Sequence, residues 1–179
     1  MKTVTLFRHA KSGEKDNPRI EDFDRPLSDR GLKAAPKMGM AMRDRHLRPN
    51  LILCSPSVRT RQTLTLASAE AWDKAPKVRY DERLYEASAQ IIFEVLKEVP
   101  DKVDHVMIVG HNPGMQDLAV MLAVNSKERQ QLKDKLPTAA LVSFEFDEEQ
   151  WKELQPATGQ VVLYISPKTL PSAGQGQKQ

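Results

Sequence analysis

Thr3-Val-Thr-Leu-Phe-Arg-His-Ala-Lys-Ser12 is the stretch on which the reading of this chain turns. Val4 to Phe7 form a short β-branched and apolar run that predicts a buried strand, and the run stops at Arg8-His9. Ending a buried strand in two side chains that can carry positive charge is costly unless an anion meets them there. Taken alone, the dipeptide equally describes a strand that surfaces at an Arg-His pair. Two later stretches shift that balance. Leu51-Ile-Leu-Cys54 runs into Ser55-Pro-Ser-Val-Arg-Thr-Arg-Gln-Thr63, and His105-Val-Met-Ile-Val109 runs into Gly110-His-Asn-Pro-Gly114. Each takes an apolar strand into a polar turn and a helix start, and each delivers one more phosphate-seeking side chain, Arg59 and His111.

Working outward, Lys11 to Asp24 is polar, carries Gly13 and Pro18 and has no periodicity, so it predicts a long loop beside a strand end, a common place for function. Ser28 caps a predicted helix running to about Leu47, with Leu32, Ala35, Met38 and Met42 on one face. Pro36 either kinks that helix or marks where its regular part begins. Serine or asparagine before proline is a helix-start signature, so Ser55-Pro56 and Asn112-Pro113 each predict a cap followed by the first helical residue. The first of these helices runs to about Trp72. Val78 to Tyr80 reads as a short strand, Leu84 to Ser88 as a turn, and Ser88 as the cap of a helix carrying Ile91, Ile92, Val95 and Leu96. Lys127 to Lys135 reads as a charged surface helix. Ala139 to Phe146 and Gln160 to Ile165 read as strands, the first alternating at Leu141, Ser143 and Glu145. Strands alternating with helices in this way predict an α/β fold with a mostly parallel sheet, the last two strands supplying an antiparallel edge. Residues 1–166 make one domain, and 167–179, rich in Pro, Ser, Gly and Gln, a flexible tail.

Composition narrows the function classes. A length of 179 residues with 40% hydrophobic content suits one core. No apolar run is long enough to span a bilayer, and Met1-Lys2 leads straight into a strand, so neither a membrane partner nor a signal peptide is expected. The single cysteine, Cys54, excludes an internal disulfide framework and a cysteine-rich metal site, and fits a reducing cytoplasm. The net charge of +3 is mild and interleaved, and no basic groove surrounds Trp72 or Trp151, which argues against a nucleic-acid partner. In open α/β sheets ligands bind beyond the carboxyl ends of strands, where Arg8, His9, Arg59 and His111 all fall. Helix starts at Ser55-Pro56 and Asn112-Pro113 would aim backbone N–H groups at the same crevice. Phosphate is therefore the leading ligand. No glycine-rich phosphate loop, dinucleotide fingerprint or Mg-type carboxylate cluster is present, so metal-free transfer without a cofactor is expected.

Leu6-Phe-Arg-His-Ala10 resembles the Arg-His-Gly signature of the histidine phosphatase superfamily, with Ala10 where the signature has glycine. Ser55-Pro-x-x-Arg-Thr-x-Gln-Thr63 and Gly110-His-Asn-Pro-Gly114 are similar to its second and third signatures, in the same order. The short length and Arg25-Pro-Leu27 with Arg30-Gly31 resemble the SixA-type phosphohistidine phosphatase branch. The resemblance, covering roughly residues 1–165, implies a single-domain three-layer α/β/α sandwich of phosphoglycerate mutase-like fold. It implies that His9 attacks phosphorus as a neutral imidazole, and that Arg8, Arg59 and a protonated His111 hold the phosphoryl oxygens. Arg25 is read as a further phosphate contact on a mobile loop. Glu86 lies where larger relatives place an acidic proton donor, and it equally reads as a solvated turn glutamate. The implied substrate is a protein phosphohistidine, whose imidazole leaves with little acid assistance; a small phosphomonoester is the alternative.

Two rivals are weighed against this. Cys54-Ser-Pro-Ser-Val-Arg59 imitates the Cys-x5-Arg loop of cysteine phosphatases, but the gap is one residue short, and Cys54 reads as a small core residue. A non-catalytic phospho-ligand binding or regulatory domain would have little need to keep His9 beside Arg8, Arg59 and His111.

Overall fold

The computed structural model describes residues 1–13 and 15–171. Six strands form one sheet in the order β3-β2-β4-β1-β5-β6, with β1 at Lys2–Arg8, β2 at Leu51–Cys54, β3 at Lys77–Tyr80, β4 at His105–Gly110, β5 at Leu141–Phe146 and β6 at Gln160–Ile165. β1, β2, β3 and β4 pair in parallel, whereas β5 runs antiparallel to both β1 and β6. The strand directions and the antiparallel edge are thus those expected.

Alternation along the central strands sends side chains to two cores. Val4, Leu6, Leu51, Leu53, Val106 and Ile108 face a cluster shared with α3 (Ala89–Lys97), α4 (Gly114–Leu122) and α5 (Lys127–Asp134). Phe7, Ile52, Cys54, Met107 and Val109 face the other side, under α1 (Asp29–Asp44) and α2 (Val58–Ala71). The result is a three-layer α/β/α sandwich. Among the described residues, no helix is long and apolar enough to cross a membrane.

Several local expectations change. α1 stops at Asp44 and passes through Pro36 without ending. The carbonyl that loses its bond there belongs to Leu32, which is 43% exposed rather than in the core. Gly31 takes the inner position instead, because a Cβ there would lie 2.1 Å from the Lys11 carbonyl oxygen. β5 is buried on both faces apart from Glu145, since Val142, Phe144 and Phe146 join one core, Leu141 joins the other, and Ser143 Oγ bonds Thr5 Oγ1 at 2.7 Å. Trp151, in a 3-10 turn of the β5–β6 connection, is wholly buried, its indole N–H donating to the Val103 carbonyl at 2.8 Å. Of the expected tail, Pro167 accepts from Lys37 Nζ at 2.9 Å and Leu170 packs on the α1–α2 side; 172–179 lie outside the described residues.

Candidate active site

The carboxyl ends of β1, β4 and β2 lie side by side, because Arg8 pairs with Gly110 and Cys54 with Val109. Segments leaving those ends enclose a cleft of about 1030 Å³. Arg8, His9, Arg25, Arg59, Glu86 and His111, residues scattered over the first 111 positions, all line it.

His9 is 7% exposed and fixed from several sides. Its backbone N–H donates to the Gly110 carbonyl at 3.1 Å, and its carbonyl accepts from Ala139 N–H at 2.9 Å. The next residue, Ala10, donates its N–H to Thr63 Oγ1 at 2.9 Å, while Thr63 donates to the Arg59 carbonyl at 2.7 Å. One hydroxyl thus ties the first sequence motif to the second. The imidazole Nδ1 lies 2.7 Å from the Ala10 carbonyl oxygen. A carbonyl only accepts, so Nδ1 carries the proton and Nε2 keeps its lone pair. Burial pushes the ring down to about 4, with the neighbouring guanidinium groups of Arg59, Arg8 and Arg25 adding to the effect against the bond to Ala10. At neutral pH His9 is uncharged.

The arginines are held in two ways. Arg8 Nη1 donates to the Leu136 carbonyl at 2.9 Å, an oxygen that also accepts from Asn112 Nδ2 at 2.9 Å. Arg59, second residue of α2, donates through Nη1 to the Asp22 carbonyl at 2.7 Å and through Nη2 to Asp22 Oδ2 at 3.1 Å. The same carboxylate accepts from the Tyr85 hydroxyl, and its Oδ1 accepts from Arg25 Nε at 3.0 Å and forms an ion pair with Arg25 Nη2 at 2.9 Å. Burial opposes charge on Asp22, but Tyr85, Arg25 and Arg59 outweigh it and hold the carboxyl well below the usual carboxylate range. Arg25 is not on a free loop. It is 8% exposed, and its Nη1 also donates to Ser12 Oγ at 2.8 Å and the Gly13 carbonyl at 3.0 Å.

His111 sits beside His9. Its ring centroid is 5.3 Å from that of His9, and its Nε2 lies 2.8 Å from Ser55 Oγ. Burial, reinforced by His9 and Arg59, pushes the imidazole down to about 3, which favours the neutral ring over the protonated one. Ser55 is therefore the partner of His111 and not a helix cap; Ser57 caps α2, accepting from Thr60 N–H at 3.4 Å. α4 likewise begins one residue later than expected, after Pro113, with Asn112 Oδ1 accepting from Gln116 N–H at 3.2 Å. Asn112 and Pro113 line the cleft; among the described residues the start of α2 contributes only Arg59.

Among the described residues, the buried side-chain polar atoms without a hydrogen-bond partner are Arg8 Nε, Arg59 Nε and His111 Nδ1. Folded proteins leave few such atoms. Finding them on three residues of one cleft describes a site built for oxygen acceptors. Glu86 stands exposed at the cleft with φ 53, a left-handed conformation costing a non-glycine residue on the order of 1 kcal/mol. Cys54 is wholly buried under α1 and α2, outside the cleft lining, and burial pushes its thiol up to about 12. Among the described residues no group of three or more His, Cys, Asp or Glu side chains is disposed to hold a metal ion.

The residues that sequence reasoning missed are Asp22, Tyr85 and Ser55. Asp22 left one trace, its i,i+3 spacing to Arg25, and Ser55 another, as the first residue of the second signature, where it reads as a helix cap; Tyr85 left none, since the turn that brings it in is set by the tertiary fold.

An uncharacterized protein of Mycobacterium tuberculosis is 32% identical over 166 residues, spanning 90% of this chain and 100% of that protein. A candidate phosphohistidine phosphatase, SixA, from Nakamurella multipartitia superposes with a TM-score of 0.80 at 25% identity, covering 96% of this chain and 97% of that one. Its counterpart from Agrobacterium tumefaciens gives 0.76 at 29% identity, covering 93% and 98%. The sheet and its two helical layers are thus phosphoglycerate mutase-like and similar to those of SixA. The family model of the histidine phosphatase superfamily (branch 1) matches residues 4–103, and the chain belongs to that superfamily.

Proposed function

We propose that this protein is a metal-independent phosphatase acting on protein phosphohistidine through a covalent phospho-His9 intermediate. The observation that carries the reading is the tautomer of His9: with Nδ1–H committed to the Ala10 carbonyl, the uncharged Nε2 lone pair remains as nucleophile. In the first step Nε2 forms a bond to phosphorus while the bond from phosphorus to the leaving nitrogen breaks, and the departing imidazole takes up a proton. In the second, water attacks phosphorus, the bond to Nε2 breaks, and phosphate leaves with His9 restored.

The charge on the transferring group meets Arg8 and Arg59, whose unpaired Nε atoms are suited to the equatorial oxygens. Ser55 O–H donating to His111 Nε2 leaves Nδ1–H of a neutral ring as a further donor. Arg25 adds positive charge at the cleft wall and shares the Asp22 carboxylate with Arg59. Glu86 is assigned as the acid for poor leaving groups, a service phosphohistidine scarcely needs. Residues 1–166 form the catalytic domain, and the one buried thiol suits a reducing cytoplasm.

The test is turnover in EDTA of a phosphohistidine-bearing protein against p-nitrophenyl phosphate and 3-phosphoglycerate. Preference for phosphohistidine, lost in His9→Ala, is the expected result. Preference for a small phosphomonoester would keep the mechanism and move the substrate, and tight binding without turnover would make this a binding domain.

A further inference from the structure

Beside the cleft lies a second concavity of about 290 Å³. Arg8, Lys11 and Thr138 line both, so the two share a wall. Its cations are Arg8, Lys11, Arg30, Lys135 and Lys168, and among the described residues neither aspartate nor glutamate lines it. They come from separate segments: the end of β1 (Arg8), the loop after it (Lys11), the first turn of α1 (Arg30), the residue after α5 (Lys135) and the turn after β6 (Lys168). Lys11, Arg30, Lys135 and Lys168 are exposed, and none takes part in an ion pair of the described residues. Along the sequence opposite charges interleave; here one sign is gathered in a hollow, which concentrates its field.

The lining says what kind of anion fits. Phosphate sites are built either of backbone N–H groups at glycine-rich turns or helix N-termini, or of buried, anchored arginines like those of the cleft. Here two of the wall residues, Pro137 and Pro167, have no N–H, and the donors sit on long, adaptable stems. Such a wall suits carboxylates arriving at variable positions.

We infer that this basic pocket docks acidic side chains of the phosphorylated partner, flanking the phosphohistidine that enters the cleft. The inference rests on the protein-phosphohistidine reading. Docking through exposed charges acts mainly on association, and weakens as salt rises.

Two synthetic phosphohistidine peptides test it, identical except that one carries aspartates on both sides of the phosphohistidine and the other asparagines. They are compared on the wild type and on the combined Arg30→Glu, Lys135→Glu, Lys168→Glu variant, with p-nitrophenyl phosphate as reference. The wild type should favour the aspartate peptide by about tenfold or more in kcat/KM at low salt, and the variant should lose that preference while hydrolysing p-nitrophenyl phosphate normally. Equal use of both peptides by the wild type, or a preference unchanged in the variant, would overturn docking alone. Turnover of p-nitrophenyl phosphate but neither peptide would overturn the protein-substrate reading, and docking with it. Should the charge reversals unfold the chain, Lys135→Gln with Lys168→Gln carries the same comparison at smaller amplitude.

Discussion

Replacing Asp22 by asparagine discriminates between two jobs its carboxylate could have. The side chain accepts from Arg59, Tyr85 and Arg25, whereas the backbone carbonyl separately accepts from Arg59. Asp22→Asn keeps the carbonyl bond, removes the charge and turns an amide NH2 toward a guanidinium or the tyrosine hydroxyl. A hydrogen bond to a charged group contributes about 1.5–3 kcal/mol when buried. The Asp22 side chain is 41% exposed, so solvent screening reduces this to roughly 1–2 kcal/mol. If the clasp orients Arg59 for the transition state, kcat should fall about 5- to 30-fold. That is less than the 10²–10³-fold expected on order-of-magnitude grounds for removing a phosphoryl-holding donor outright, as in Arg59→Ala. The assay is steady-state hydrolysis of p-nitrophenyl phosphate, with tungstate inhibition as a separate measure of oxyanion affinity and thermal unfolding to confirm the fold. Faster turnover and tighter tungstate binding in Asp22→Asn would refute the positioning role, because the carboxylate would then be competing with the phosphoryl group for Arg59.

Other consequences follow from the same geometry. His9 should titrate near 4 in imidazole NMR, with Nδ1–H present throughout the neutral range; a value near 6.5 would contradict it. Since the folded value lies below the unfolded one, the stability from this neutral ring is complete above about pH 6.5 and drains away as pH falls toward 4. Cys54 should resist alkylation in the native protein, and Cys54→Ala should keep its turnover. Gly39→Ala would set a Cβ 2.1 Å from the Ala67 carbonyl oxygen where α1 crosses α2; a loss of about 1–3 kcal/mol is expected in thermal unfolding, with kcat little changed. Glu86→Gln should slow hydrolysis of an alkyl phosphate by about 10²-fold while affecting p-nitrophenyl phosphate far less; equal effects on both would remove the assignment of Glu86 as acid.

Strand positions were legible because β1, β2 and β4 are short apolar runs that end in chemically distinctive residues, and burial on both faces demands such runs. The same strand ends carried Arg8, His9, Arg59 and His111 into the site, so these four were legible too. The clasp was not. Asp22 sits among Glu21 and Asp24 in a segment without periodicity, and nothing local tells which carboxylate folds back onto Arg59. The cap of α2 was misplaced by two residues because Ser55-Pro56 and Ser57-x-x-Thr60 are both sound capping patterns, and the tertiary demand of His111 for Ser55 separates them. The downward pull on His111 was not legible for a related reason: sequence shows a histidine near arginines, but its degree of burial appears only once the cleft is assembled.

The central claim is that His9 carries the phosphoryl group, and rapid quenching during turnover tests it most directly. Wild-type protein mixed with excess phosphohistidine substrate, quenched in base and digested, should yield an acid-labile, base-stable phosphoryl group on the peptide containing His9, absent in His9→Ala. Phosphate released without any label on that peptide, or label on another residue that persists in His9→Ala, would contradict the account.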